Sequence, residues 1–335
     1  MGPIEGWYVT FRGSHLAVKG LIHPEGRVVA VLAWRRHREG FMRARGLIET
    51  YAFLKEHGER YLFFDDQSGQ VLPAVPLAEL EAILEPQNVA PLRKRGDLSE
   101  SVRALMEELA DHGVEARLTG SMLLGLHGPG SDADLVVYSI EQRKAALEVL
   151  GEMRSRGRVE VNVEHLLRDF AERRADSLMG PREWLAHEVR KSLLGSYRGL
   201  PFSVKAVHLP EEHWEVRRSS RWRSMGEVAL VCEVLDDVFA PDTPNMYRVR
   251  PIELLWGREE GMEVGWVESL RSRFSEQARA GEEVLVVGRL EVDLRSWRYR
   301  VFVSGERTHL IASRQALGDL WSGLVERVRG VGGQG

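Results

Sequence analysis

Residues 117–138 read R-L-T-G-S-M-L-L-G-L-H-G-P-G-S-D-A-D-L-V-V-Y, from Arg117 to Tyr138. A short apolar segment ends in Gly120-Ser121, and a brief apolar turn runs from Met122 to Leu126. Gly128-Pro129-Gly130 breaks the chain before Asp132-Ala133-Asp134 opens a second apolar segment, Leu135 to Tyr138. The pattern predicts strand, tight glycine turn into a helix start, loop, then a strand carrying two acids. Side chains two apart on a strand share a face, so Asp132 and Asp134 point the same way. Neighbouring carboxylates repel unless a cation lies between them. Magnesium, held by one or two carboxylates together with substrate phosphates, is the usual resolution. Glycine at 120 lets the backbone approach a phosphate, and free N–H groups at a helix start favour an anion.

These residues resemble the motif of the DNA polymerase β-like nucleotidyltransferase superfamily. That motif is an apolar residue, Gly-Gly or Gly-Ser, a spacer of about ten residues, and an acid-x-acid pair on the next strand. Gly120-Ser121, ten intervening residues and Asp132-Ala133-Asp134 fit it. The layout, with a β-rich segment on each side, is most similar to archaeal proteins described as predicted nucleotidyltransferases. The resemblance covers Asp97 to Leu209 and implies a nucleoside triphosphate substrate and Mg²⁺ or Mn²⁺ on Asp132 and Asp134. It also implies a triphosphate cradle at Gly120 and Ser121.

The composition sets wider bounds. A chain of 335 residues has room for two or three domains. It is 43% hydrophobic and 29% charged, which describes an ordinary globular protein. A net charge of −4 gives no overall attraction to nucleic acid, so such a partner would be gripped by local patches. The single cysteine, Cys232, excludes an intramolecular disulfide and lies in an apolar run, as a buried thiol would. No leader-like segment and no apolar run of about 18 residues is present, which places the chain in the cytoplasm with no membrane partner. Arginine outnumbers lysine heavily, as in a thermophilic protein or one from a GC-rich genome.

The expected fold is α+β, in three domains: a β-rich N-terminal domain (1–96), a nucleotidyltransferase core (97–210) and a β-rich, barrel-like C-terminal domain (211–330). In the first, strands are expected at Trp7–Phe11, Leu16–Ile22 and Val28–Trp34, with a helix over Leu47–His57. Tyr61–Phe64 and Val71–Val75 form a hairpin, and Leu77–Leu84 reads as a short helix. Arg35, Arg36, His37 and Arg38, with Arg43 and Arg45, fit either a phosphate-contacting lip or a solvated loop. Charge runs are usually surface, which favours the loop.

In the core, Asp97 and Glu100 suggest a capping box for a helix through Leu109. Ser121 suits either a triphosphate contact or a helix cap. Active members of the resembled family carry a third carboxylate on a neighbouring strand. Glu160, on the alternating run Arg158–Val163, is the candidate if that strand lies beside the aspartates. On the other candidate strand, Phe202–Leu209, the matching positions are Ser203 and Lys205, and the third acid would be missing. Lys191, late in the helix expected from Pro181, is a candidate phosphate ligand.

Beyond Pro210, Trp214 to Arg223 interleaves arginine with tryptophan. Arginine grips phosphate and tryptophan stacks on bases, so Arg217, Arg218, Arg221, Trp222 and Arg223 are candidate contacts for an RNA acceptor. An interdomain connector fits equally. Strands are expected at Glu227–Leu235, Tyr247–Leu255, Glu283–Val292 and Trp297–Val303, with a helical insertion at Trp266–Ala280. The expected activity is metal-dependent transfer of a nucleoside monophosphate from an NTP to a hydroxyl. The rival is a non-catalytic nucleotide- or RNA-binding protein that keeps the fold.

Overall fold

The computed structural model describes residues 2–44, 46–66, 68–88, 98–128, 130–173, 178–212, 220–303 and 308–332. The architecture is mixed α+β, and the chain divides into two compact units. Residues 1–158 and 197–214 form the first; 159–196 and 215–335 form the second. The β-rich N-terminal segment and the strands bearing the aspartates therefore share one unit.

The first unit opens with a largely antiparallel sheet. Its strands are β1 (Tyr8–Phe11), β2 (Ser14–Val18), β3 (Arg27–His37), β4 (Gly40–Arg43), β5 (Leu62–Asp65), β6 (Gln70–Pro76) and β7 (Ala82–Leu84). Their order is β5-β6-β3-β2-β1-β7, with β4 paired to β3. Alternation sends Val9, Phe11, Leu16 and Leu32 to one face, where Phe53 and Leu54 of helix α1 (Gly46–His57) cover them. The helix expected at Leu77–Leu84 is instead a single 3₁₀ turn, Leu77–Glu79, followed by β7. Its Ala-Glu-Leu-Glu-Ala composition favours a helix, but the ladder to β1 (Tyr8↔Leu84, Thr10↔Ala82) overrides that preference.

A second sheet follows. Helix α2 (Glu100–Asp111) is capped by Ser99, whose hydroxyl accepts from the Val102 N–H, and buries Val102, Leu105, Met106 and Leu109. The cap expected at Asp97 lies outside the described residues. Then come β8 (Arg117–Leu118), the short turn α3 (Gly120–Leu123), β9 (Ala133–Tyr138) and helix α4 (Ile140–Ser155). Strand β8 runs antiparallel to β9. After β10 (Val159–Glu160), helices α5 (Val163–Arg173) and α6 (Pro181–Glu188), and β11 (Leu194–Tyr197), strand β12 (Leu200–Val207) returns parallel to β9. The N-terminal segment seals the sheet: Ile4, Leu21, Val136 and Val207 form one buried cluster, edged by Trp7 and Tyr138.

The second unit is built on β13 (Trp222–Phe239), β14 (Asn245–Trp256), β15 (Val264–Ser269), β16 (Glu283–Asp293), β17 (Tyr299–Phe302) and β18 (Leu310–Ser313). Pairings run β13-β14-β15-β17-β16 and return from β16 to β13, a closed ring of five strands with β18 added on β16. Closure removes open sheet edges. Val228, Leu230, Tyr247, Val267, Val286 and Val301 fill one core. On the other side of β13 and β16, helices α7 (Arg314–Leu317) and α8 (Trp321–Gly332) contribute Leu317, Leu324 and Val328 to a second core. Burial pushes the Cys232 thiol up to about 12, as expected of an inert core cysteine. The helix expected at Trp266–Ala280 is replaced by β15 and a 3₁₀ turn, Ser272–Phe274. Among the described residues no helix is long and apolar enough to cross a membrane.

Candidate active site

Strands β8 and β9 bring the two halves of the 117–138 motif together. The Thr119 N–H donates to the Asp134 carbonyl at 2.9 Å, continuing the ladder Leu118↔Leu135. Gly120 follows with φ +67°, and a Cβ there would lie 2.1 Å from Asp134 Oδ2 and 2.7 Å from Asp134 Cβ. The position is closed to any side chain by contact and is strained for one by its backbone. Asp134 therefore stands at the glycine-serine turn.

The turn itself is short, four residues, with Thr119 as its flanking residue and no side-chain cap. The capping role expected of Ser121 is not made: the helical turn starts one residue earlier, at Gly120. Thr119 Oγ1 instead donates to the Gly6 carbonyl at 2.5 Å, pinning the motif to the N-terminal segment. The Ser121 hydroxyl has no partner among the described residues and is half-buried.

Asp132 lies one residue before β9 and Asp134 within it, both half-buried. Asp132 makes no ion pair among the described residues. Asp134 Oδ1 accepts from Ser203 Oγ at 3.3 Å. Ser203 stands directly opposite Asp134 on β12, and Lys205 opposite Val136. The neighbours of β9 are thus β8 and β12, and the place for an acid from the adjoining strand holds Ser203. Glu160 is exposed, on β10 in the second unit, so the condition that nominated it is not met.

An acid does reach this face from elsewhere in the chain. Glu5 is 1% exposed, takes Lys205 at 2.8 Å and Lys19 at 3.1 Å, and accepts from the Gly20 N–H. Burial alone would raise its carboxyl. The two ammonium groups outweigh that and hold it below the ordinary value. Two lysines thus neutralise Glu5, which explains why Lys205 sits on a strand otherwise facing the core.

Tyr8 was invisible to sequence reasoning, because nothing local distinguishes it from any strand tyrosine. Burial raises its phenol well above the usual range, and the charges of Asp134, Glu5 and Asp132 raise it further, while Arg43 pulls it back. Tyr8 therefore lies within electrostatic reach of Asp134, Asp132 and Arg43.

Lys191 has a different setting. It is 4% exposed, with its ammonium 2.6 Å from Glu188, donating to the Arg273 carbonyl at 2.9 Å, and over the Trp184 ring at 5.9 Å. Those contacts within the second unit engage its ammonium group.

In the tryptophan-arginine stretch Trp222 is internal, while Arg221 is exposed and Arg223 half-buried; Arg217 and Arg218 lie outside the described residues. Trp222 is 5% exposed, and the Arg300 guanidinium lies 3.9 Å from its ring centroid. Arg300 is 6% exposed and donates to Glu291 at 2.7 Å and Glu268 at 2.5 Å. The Arg221 N–H donates to Asp293, and the Arg223 guanidinium donates to the Trp222 carbonyl. Trp222 is thus a packing residue rather than a stacking platform, because acids on β15 and β16 draw Arg300 inward over it.

Among the described residues, no three His, Cys, Asp or Glu side chains cluster as a metal cage. Two carboxylates two residues apart, Asp132 making no ion pair among the described residues, are donors that fit a magnesium ion completing its shell with phosphate oxygens and water.

Residues 99–191 match the family model for the nucleotidyltransferase domain. The chain carries a nucleotidyltransferase domain. The match spans Gly120, Ser121, Asp132 and Asp134 and stops before β12. Over 330 residues the chain is 25% identical to an uncharacterized protein of Methanocaldococcus jannaschii, covering 90% of this chain and 95% of that one. Similarity therefore extends into the β-rich flanks as well as the nucleotidyltransferase domain. No solved structure matches the chain.

Proposed function

We propose that this protein transfers a nucleoside monophosphate from an NTP to an acceptor hydroxyl, with Asp132 and Asp134 holding Mg²⁺ or Mn²⁺. The observation that supports the reading is the contact of Asp134 with Gly120, beside the turn proposed to hold the triphosphate. Bound there, a divalent ion would supply charge stabilisation at the α-phosphate and ease deprotonation of the attacking hydroxyl. Gly120, lacking a Cβ, lets the carboxylate come against the turn, and the Ser121 hydroxyl is available to donate to a phosphate oxygen. Ser203 orients Asp134 through its hydrogen bond. In the reaction a P–O bond forms between the acceptor oxygen and the α-phosphorus, pyrophosphate departs, and the hydroxyl proton passes to water.

Ser203 also supports a second reading. With a hydroxyl where an adjoining-strand acid would stand, the domain would bind a nucleotide without transferring it. The two separate in one experiment: α-labelled triphosphates are incubated with the protein, Mg²⁺ or Mn²⁺ and total RNA. Transfer that disappears in Asp132→Asn supports the enzyme. Metal-dependent triphosphate binding without transfer favours the second reading, and no metal-dependent binding removes both.

A further inference from the structure

The N-terminal sheet has one face on α1 and a second that belongs to none of the buried clusters. Direct pairing places Thr10 opposite His15, His15 opposite Trp34, and Trp34 opposite Arg43, so one row crosses four strands on that second face. Alternation adds Tyr8 on β1, Arg36 on β3 and Phe41 on β4. Rings and cations are interleaved there: His15 stacks on Phe41 at 4.9 Å and 19°, and the Arg36 guanidinium lies 5.2 Å from the Phe41 centroid. Arg36 and Arg43 are exposed, and Trp34 and Phe41 are half-buried. Arg36 has no carboxylate partner among the described residues, nor has the Trp34 indole N–H an acceptor. Residues 35–43 hold four arginines and one acid, Glu39, in a chain whose net charge is −4; Arg35 pairs with Glu56 of α1, while Arg36 and Arg43 stand on this face.

The face is joined to the aspartates. Thr119 bonds both the Gly6 carbonyl and the Asp134 carbonyl, and Tyr8 follows Gly6 by two residues. From β1 to β4 the face spans roughly 14 Å at the usual strand spacing, more than a mononucleotide beside the aspartates would cover. Exposed guanidinium groups alternating with flat rings match a single-stranded nucleic acid, whose phosphates and bases alternate likewise.

We propose that the sheet face bearing Tyr8, Trp34, Arg36, Phe41 and Arg43 binds a single-stranded nucleic acid and directs its end toward Asp132 and Asp134. This deepens the transferase reading by naming its acceptor and the surface that holds it. Trp34 stacks on a base, and Arg36 and Arg43 contact phosphates. The basic run at 35–43 is therefore a binding lip, not the solvated loop that its composition suggests.

The test is fluorescence anisotropy of a labelled 12-nucleotide RNA of mixed sequence with the full chain in EDTA. Binding should weaken as salt rises. Trp34→Ala should weaken it about tenfold, while Trp34→Phe retains most of the affinity. Arg36→Ala and Arg43→Ala should each reduce the slope of log affinity against log salt by about 0.7. Absence of binding at low salt overturns the proposal, as does binding unchanged in both Trp34→Ala and Arg36→Ala. Arg36 is exposed, so its loss does not threaten the fold. Because the assay contains no metal and no triphosphate, its failure leaves transfer to another acceptor standing. A failure of transfer, conversely, leaves RNA binding intact.

Discussion

Gly120 and Asp134 are in such close contact that a methyl group on the glycine would lie 2.1 Å from the carboxylate oxygen. Gly120→Ala must therefore displace the Asp134 side chain or shift the turn, at a backbone angle that L-residues avoid. The variant should lose about 1–3 kcal/mol of stability and at least tenfold in metal-dependent triphosphate affinity. Denaturant unfolding and calorimetric titration read the two effects separately.

Ser203→Asp would set a third carboxylate directly opposite Asp134. Without a cation the like charges repel, so the variant should melt below wild type in EDTA. Millimolar Mg²⁺ should restore the difference, and Mn²⁺ should bind more tightly than to wild type. A melting temperature indifferent to metal in both proteins would argue against a cation between these strands.

His187 reports on the second unit. Its Nδ1–H donates to the Glu183 carbonyl, and Nε2 accepts from the Ser313 N–H, so the folded protein needs it neutral. Burial lowers it from 6.5 to about 4. The unfolded chain takes up the proton first as pH falls, so this stabilisation is complete above pH 6.5. It declines through the interval to pH 4, by up to about 3 kcal/mol. Unfolding free energies measured from pH 7.5 to 4 should show the decline, and His187→Gln should flatten it.

Arg300 joins Glu268, Glu291 and Trp222 in the interior. Arg300→Met would remove the cation that Glu268 and Glu291 share, although Arg289 still pairs with Glu291, and should destabilise the second unit by about 2–4 kcal/mol. Restoration by the triple change with Glu268→Gln and Glu291→Gln would show that stranded charge, rather than lost stacking on Trp222, causes the damage. Thermal unfolding measures both.

The sequence revealed those parts of the site whose signal is local. Gly120 with Asp132 and Asp134 was readable because a glycine turn and a two-residue acid spacing carry geometry within about 20 residues. The partner of β9 was not readable. Ser203 and Glu160 occupy equally plausible strands, and only tertiary pairing places Ser203 beside Asp134. Leu77–Leu84 and Trp266–Ala280 have helical composition, yet ladders to β1 and β14 make β7 and β15 strands. Trp222 and Lys191 looked like surface ligands because the acids that draw Arg300 and Lys191 inward are remote in sequence or belong to another element. Tyr8 and Glu5 reach the site over more than a hundred residues, a distance at which periodicity carries no information.

Glu5 finally bears on how this protein should be handled. A fragment trimmed to residues 99–191 would lose both β12 and the N-terminal arm. Even one extended through β12 would leave Lys205 without its counter-charge and bare the apolar side chains of Val136 and Val207. Such a truncation should aggregate rather than fold, so the smallest workable piece begins at the amino terminus.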